Sequence, residues 1–179
     1  MEAHAEGRPS LMELTKRKRD GVYYTPEWVT EYIVQETIGV RLAEIRAEIG
    51  LVDQNAPSED DIKQYRAFLN DRRKTAKVAG AWLGSLKSYQ FALRNLKIVD
   101  PACGSGAFLI QALKYLIKEH RWIAQEFFRV GGQAEVWDQE AINREILSQN
   151  IYGVDINAES IEITRLALWL HTALPDRPL

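Results

Sequence analysis

Cysteine is nearly missing from this sequence: Cys103 stands alone among 179 residues. That excludes an internal disulfide and any cysteine-based zinc cluster, and it fits a reducing compartment. The three histidines, His4, His120 and His171, are scattered and show no metal-ligand spacing, so no metal is expected. The six prolines, Pro9, Pro26, Pro57, Pro101, Pro175 and Pro178, include no adjacent pair. No apolar run approaches the roughly 20 residues needed to cross a bilayer. The opening residues, with Glu2, His4, Glu6 and Arg8, lack the apolar core of a secretory leader, so a cytoplasmic location without a membrane partner is the expectation. An excess of one charge is lacking too. Charged residues make up 27% and the net charge is −2, which is no global signature of a nucleic-acid binder.

What is present suffices for a folded core, with 46% hydrophobic residues. Residues 1–20 are a polar lead-in ending in the basic run Lys16-Arg17-Lys18-Arg19, read as solvated. Residues 21–95 read as a helical region. Thr25 is placed to cap a helix whose first position is Pro26, running to about Gly50 with Val29, Tyr32, Ile33, Ile38, Leu42 and Ile45 as its apolar positions. Residues 53–57 read as a loop, and Ser58 with Asp61 has the form of a capping box opening a helix through Tyr65, Phe68 and Leu69. Gly80 and Gly84 argue against a continuous helix around Trp82, leaving a turn or two between Leu86 and Leu93.

From residue 96 the pattern changes to strand, turn and helix. Leu96, Ile98 and Val99 supply a short strand, and Asp100 followed by Pro101 ends it. Ala102, Cys103, Gly104, Ser105 and Gly106 then form a turn in which the glycines let backbone approach a ligand closely. From Ser105 a helix follows, with Leu109, Ala112, Leu113, Leu116, Ile117, Ile123 and Phe127 on one face. Gly131-Gly132 breaks it, and Asp138 caps a shorter helix through Ala141, Ile142, Ile146 and Leu147. A second strand begins after Asn150 and ends at Asp155 and Ile156, with Asn157 capping the last helix. Ile161, Ile163 and Leu166 through Leu170 make that helix apolar over a wide arc, so it is predicted to be mostly buried.

Glycines before a helix N-terminus admit phosphate or carboxylate alike. The spacing excludes two familiar sites. Leu109 stands where a dinucleotide fingerprint needs its third glycine, and no Lys-Ser or Lys-Thr follows as in a P-loop. An acid at the end of a second parallel strand accepts hydrogen bonds from ribose hydroxyls well, which makes Asp155 the ribose candidate.

The wording Asp100-Pro101-Ala102-Cys103-Gly104-Ser105-Gly106-Ala107-Phe108 resembles the cofactor motif of S-adenosylmethionine-dependent DNA methyltransferases of the amino type. Tyr23-Tyr24-Thr25-Pro26 matches a second motif of that family, and Leu168-Trp169-Leu170 after the second acid also recurs there. The order of Tyr-Thr-Pro, then the glycine motif, then the second acid, Asp155, resembles the adenine-N6 enzymes of the gamma arrangement, closest to restriction-modification and phage-defence methyltransferases. The resemblance covers roughly residues 16–172. It implies an α/β, Rossmann-like fold, incomplete here, in which residues 96–179 form the first part of the cofactor domain. It implies S-adenosylmethionine as cofactor, with Asp100 near the methionine moiety and Tyr23, Tyr24, Thr25 and Pro26 packed against that end. The candidate set is these four together with Asp100, Pro101, Ala102, Cys103, Gly104, Ser105, Gly106, Phe108, Asp155 and Ile156.

The family's catalytic Asn-Pro-Pro-Tyr type of motif holds the target amine and stacks on the flipped base. Without adjacent prolines it is not within these residues, so no catalytic residue is assigned and the 179 residues alone are expected to be inactive. DNA is the implied partner, gripped mainly by other parts of the protein. The remaining half of the domain is a second expected partner, and self-association of uncovered apolar edges a further one. A non-catalytic scaffold or sensor binding S-adenosylmethionine, and a protein or RNA amino-methyltransferase, are the competing readings.

Overall fold

The computed structural model describes residues 25–71, 75–132 and 138–172. Tyr23 and Tyr24, and the basic run at 16–19, lie outside the described residues. The chain opens with α1 (Glu27–Val34), passes through a π-helical stretch (Gln35–Gly39) and continues as α2 (Val40–Glu48). After a short 3-10 turn (Asp53–Asn55) come α3 (Glu59–Asn70) and α4 (Lys77–Asn95). The second half holds β1 (Ile98–Asp100), α5 (Ala107–Gly131), α6 (Gln139–Gln149), β2 (Ile151–Gly153) and α7 (Ala158–Thr172). Among the described residues, the sheet consists of β1 and β2 in parallel, with Ile98 opposite Ile151, Val99 opposite Tyr152 and Asp100 opposite Gly153.

Helix α5 is the axis of the molecule and packs against α1, α3, α4, α6, α7 and β2. Its apolar positions, at three- and four-residue spacing, put Leu109, Ala112, Leu113, Leu116, Ile123 and Phe127 into the core with Leu42, Leu86, Leu93, Ile146 and Ile151. Two buried polar arrangements fix its neighbours. Arg46 of α2 is ion-paired to Glu119 of α5, whose Oε2 also accepts the Tyr89 hydroxyl of α4 at 2.8 Å. The same guanidinium lies 4.3 Å from the Trp122 ring centroid, so α2, α4 and α5 are tied through one charge. Fully buried Asn150 donates its side-chain amide to the carbonyl oxygens of Leu93 and Leu96, each at 2.8 Å. It satisfies the end of α4 where the chain turns into β1.

Several local expectations hold: the Ser58/Asp61 capping box is complete, Asp138 accepts from the Glu140 and Ala141 amides, and Asn157 accepts from Glu159. Others are corrected. Helix α1 starts at Glu27 with Pro26 in the cap position, and the proline ring has no acceptor to offer, so no side-chain hydrogen bond stands at that cap. The inward residues of α1 are Thr30 and Val34, while Tyr32 is 62% exposed; Ile38, Leu42 and Ile45 beyond it face the core as expected. Gly80 and Gly84 sit inside one continuous α4, whose packing along Ala79, Trp82, Leu83 and Leu86 outweighs their low propensity. In α6 Asn143 is buried and Ala141 is exposed.

The largest correction concerns α7. Ile163, Leu166, Trp169 and Leu170 are each 44–58% exposed, and the inward residue is Thr164. Only one side of α7 meets α5, so an arc wider than that contact stays in solvent. The far face of the sheet is likewise uncovered, with Val99 at 59% and Tyr152 at 41% exposure.

Candidate functional site

The glycine turn lies at the carboxyl ends of β1 and β2, where an α/β sheet leaves room for a ligand. Its backbone is unusual at two points: Gly104 has φ +54° and Gly106 φ +84°, left-handed values that favour glycine. Gly106 is the residue before α5, so the helix begins at Ala107 and Ser105 stays outside it, exposed. The loop is stitched to the strand ends by backbone. The Cys103 amide donates to Val154 O at 2.9 Å, Val154 N to Asp100 O at 2.9 Å, and Gly106 N to Cys103 O at 2.7 Å.

Both strand-end acids take part. Asp155 accepts from the Gly104 amide through Oδ2 and from the Asn157 amide through Oδ1, each at 2.8 Å. The Asn157 and Gly104 amides hold its carboxyl below the usual carboxylate range, so it is ionised at neutral pH. Each oxygen keeps a second lone pair for a ligand hydroxyl. Asp100 accepts the Ala102 amide at Oδ1, 3.1 Å, while its Oδ2 is buried with no hydrogen-bond partner among the described residues. A carboxylate oxygen left unpaired in that position is suited to a donor brought from outside. Cys103 is buried and burial raises its thiol pKa, so it packs the loop rather than acting as a nucleophile.

Pro101, Ala102 and Ser105 are exposed around the turn, and Ile156 beside Asp155 is 95% exposed. Phe108 is half-buried and lines a cavity of about 250 Å³ together with Asp100, Pro101 and, from α1 and its π-helical continuation, Ile33, Val34, Thr37 and Ile38. The helix that follows Thr25-Pro26 is thereby brought to the end of β1. Glu27, in its first turn, accepts from Gln111 and Lys114 of α5, each at 2.9 Å. The Lys114 hydrogen bond, then that of Gln111, lowers its pKa.

Thr164 was invisible to sequence reasoning. Its hydroxyl donates to Gly104 O at 2.8 Å from within α7, and a polar residue in an apolar helix carries no signal of which way it faces. Among the described residues no group of histidine, cysteine and acidic side chains is arranged to hold a metal.

The family model described as MmeI, DNA-methyltransferase domain matches residues 70–177, from α4 through the glycine turn and Asp155 to α7. The chain belongs to this methyltransferase family. The chain is also similar to a protein of Methanocaldococcus jannaschii named as a type II restriction enzyme and methyltransferase. The two are 33% identical over 154 residues, 84% of this chain and 12% of the relative. The adenine-specific methyltransferase BrxX of Escherichia coli O9:H4 is 24% identical over 86% of the chain and 11% of its own length. For the adenine-specific methyltransferase PglX of Lacticaseibacillus casei the corresponding figures are 23%, 86% and 11%. The chain therefore spans about an eighth or less of the curated relatives it matches. No solved structure matches it.

Proposed function

We propose that this chain is the cofactor-binding front part of a Rossmann-like methyltransferase domain that moves a methyl group from S-adenosylmethionine to adenine N6 of DNA, in restriction-modification or phage defence. The observation that carries the reading is the Asp155 carboxylate gripping the Gly104 amide, which brings the two strand-end motifs together. The adenine target is favoured by the similarity to the adenine-specific methyltransferases BrxX and PglX.

The residues fit the cofactor. The left-handed glycines leave backbone open to a ligand, and Asp155 offers spare lone pairs to ribose hydroxyls. Ile156 offers an exposed apolar surface to the cofactor base, and the free Oδ2 of Asp100 suits the methionine ammonium. When bound, S-adenosylmethionine supplies an electrophilic methyl on a sulfonium. The chain's own part is to hold and orient it. No pair of prolines stands in these residues, so they are proposed to bind the donor without transferring the methyl. The open faces of α7 and the sheet support packing against further protein, the rest of the domain or a second copy.

Calorimetric titration with S-adenosylmethionine tests the reading. Saturable binding by the chain, lost in Asp155→Ala, is expected. Tight binding of NAD or ATP in its place would overturn it.

A further inference from the structure

Thr164 breaks two habits of helical residues. In α7 the apolar side chains Ile163 and Leu166 are 54% and 55% exposed while Thr164 is 4% exposed, the reverse of the usual sorting. Helical threonines commonly bond back within their own helix. Thr37 and Thr172 do so here, donating to Ile33 O and Trp169 O. Thr164 instead spans 60 positions of sequence to reach Gly104 O at 2.8 Å. Its methyl is committed as well, since a Cβ built on Gly106 would fall 2.8 Å from Thr164 Cγ2.

Gly104 is thus held from both sides. Its amide donates to Asp155 and its carbonyl accepts from Thr164, and both of those side chains come from the segment after β2. Asp155 fixes the amide next to the proposed ribose position, and Thr164 fixes the next peptide unit from behind. We infer that Thr164 is a positioning residue for the cofactor loop, its hydroxyl setting the Gly104 peptide and its methyl supporting Gly106 from below. The inference rests on the proposed reading of this loop as the S-adenosylmethionine site. Threonine meets both demands at once: serine keeps the donor, and valine keeps the shape while leaving the Gly104 carbonyl unpaired.

The test compares wild type with Thr164→Val, Thr164→Ser and Thr164→Ala. Three quantities are measured: affinity for S-adenosylmethionine by calorimetry, amide hydrogen exchange across residues 103–106, and the thermal midpoint. The valine variant is expected to exchange faster in the loop and to bind about tenfold more weakly, the size of effect that follows loss of one buried hydrogen bond. The serine variant should restore affinity to within about twofold of wild type, since the donor is retained. If valine does not fold, alanine against serine makes the same comparison. Equal affinity in the valine and wild-type proteins, or weakening shared equally by serine and valine, overturns the role of Thr164. Wild type that binds no S-adenosylmethionine overturns the cofactor reading itself, whatever the variants do to loop exchange.

Discussion

A Cβ placed on Gly106 would lie 2.8 Å from Cγ2 of Thr164, closer than carbon atoms tolerate. Gly106 also has φ +84°, so a side chain there meets both a clash and a left-handed backbone. Gly104, at φ +54°, has open space where its Cβ would go. Gly104→Ala is therefore expected to cost about 1–2 kcal/mol from backbone conformation alone. Gly106→Ala should cost about 2–4 kcal/mol, because overpacking adds to that. Urea unfolding of the two variants checks the order; equal losses would show that α7 yields at Thr164.

The imidazole of His120 points to a pH dependence. Burial, reinforced by the Arg94 charge, pushes its pKa down from 6.5 to about 4, and its Nε2 is buried without a hydrogen-bond partner among the described residues. The stability it contributes is full above the unfolded value near 6.5 and is lost as pH falls toward 4, because the unfolded chain takes up a proton that the folded one refuses. The loss over that window is about 3 kcal/mol. Unfolding free energies measured at pH 7, 6 and 5 should fall in wild type and fall less in His120→Leu. Parallel profiles for the two would contradict the assignment.

Helix α4 carries a reserve of stability in its glycines. Gly84 lies in the middle of the helix, exposed, with nothing within 4 Å of an added Cβ. Alanine there removes backbone freedom from the unfolded chain without a clash. Gly84→Ala is expected to gain about 0.5–1 kcal/mol, read as a raised thermal midpoint. A lowered midpoint would mean that this surface is covered by something a methyl group displaces.

The legible parts of the molecule were those with local causes. Ser58 and Asp61, and Asp138 with the amides after it, bond within a few residues of themselves, so their spacing announces them. The glycine turn was legible for the same reason, since its residue types state the backbone they need. The continuity of α4 was not, because burial of Trp82, Leu83 and Leu86 against other helices decides it, and propensity is the weaker term. The inward face of α1 was hidden too, because Thr30 and Val34 meet the core in place of the bulkier Tyr32 and Ile33.

Residue types and spacing alone place the glycine turn between strand and helix, put an acid at each strand end and leave the chain without a proline pair, since all of these are properties of neighbours in sequence. The joining of Asp155 to Gly104 across 51 positions, and of Thr164 to the same residue across 60, belongs to the tertiary structure. So does the exposure of most of α7's apolar residues. Hydrophobicity sets how much a helix gains from burial. Which side gains it depends on the partner present, and here α5 covers only the strip that holds Thr164.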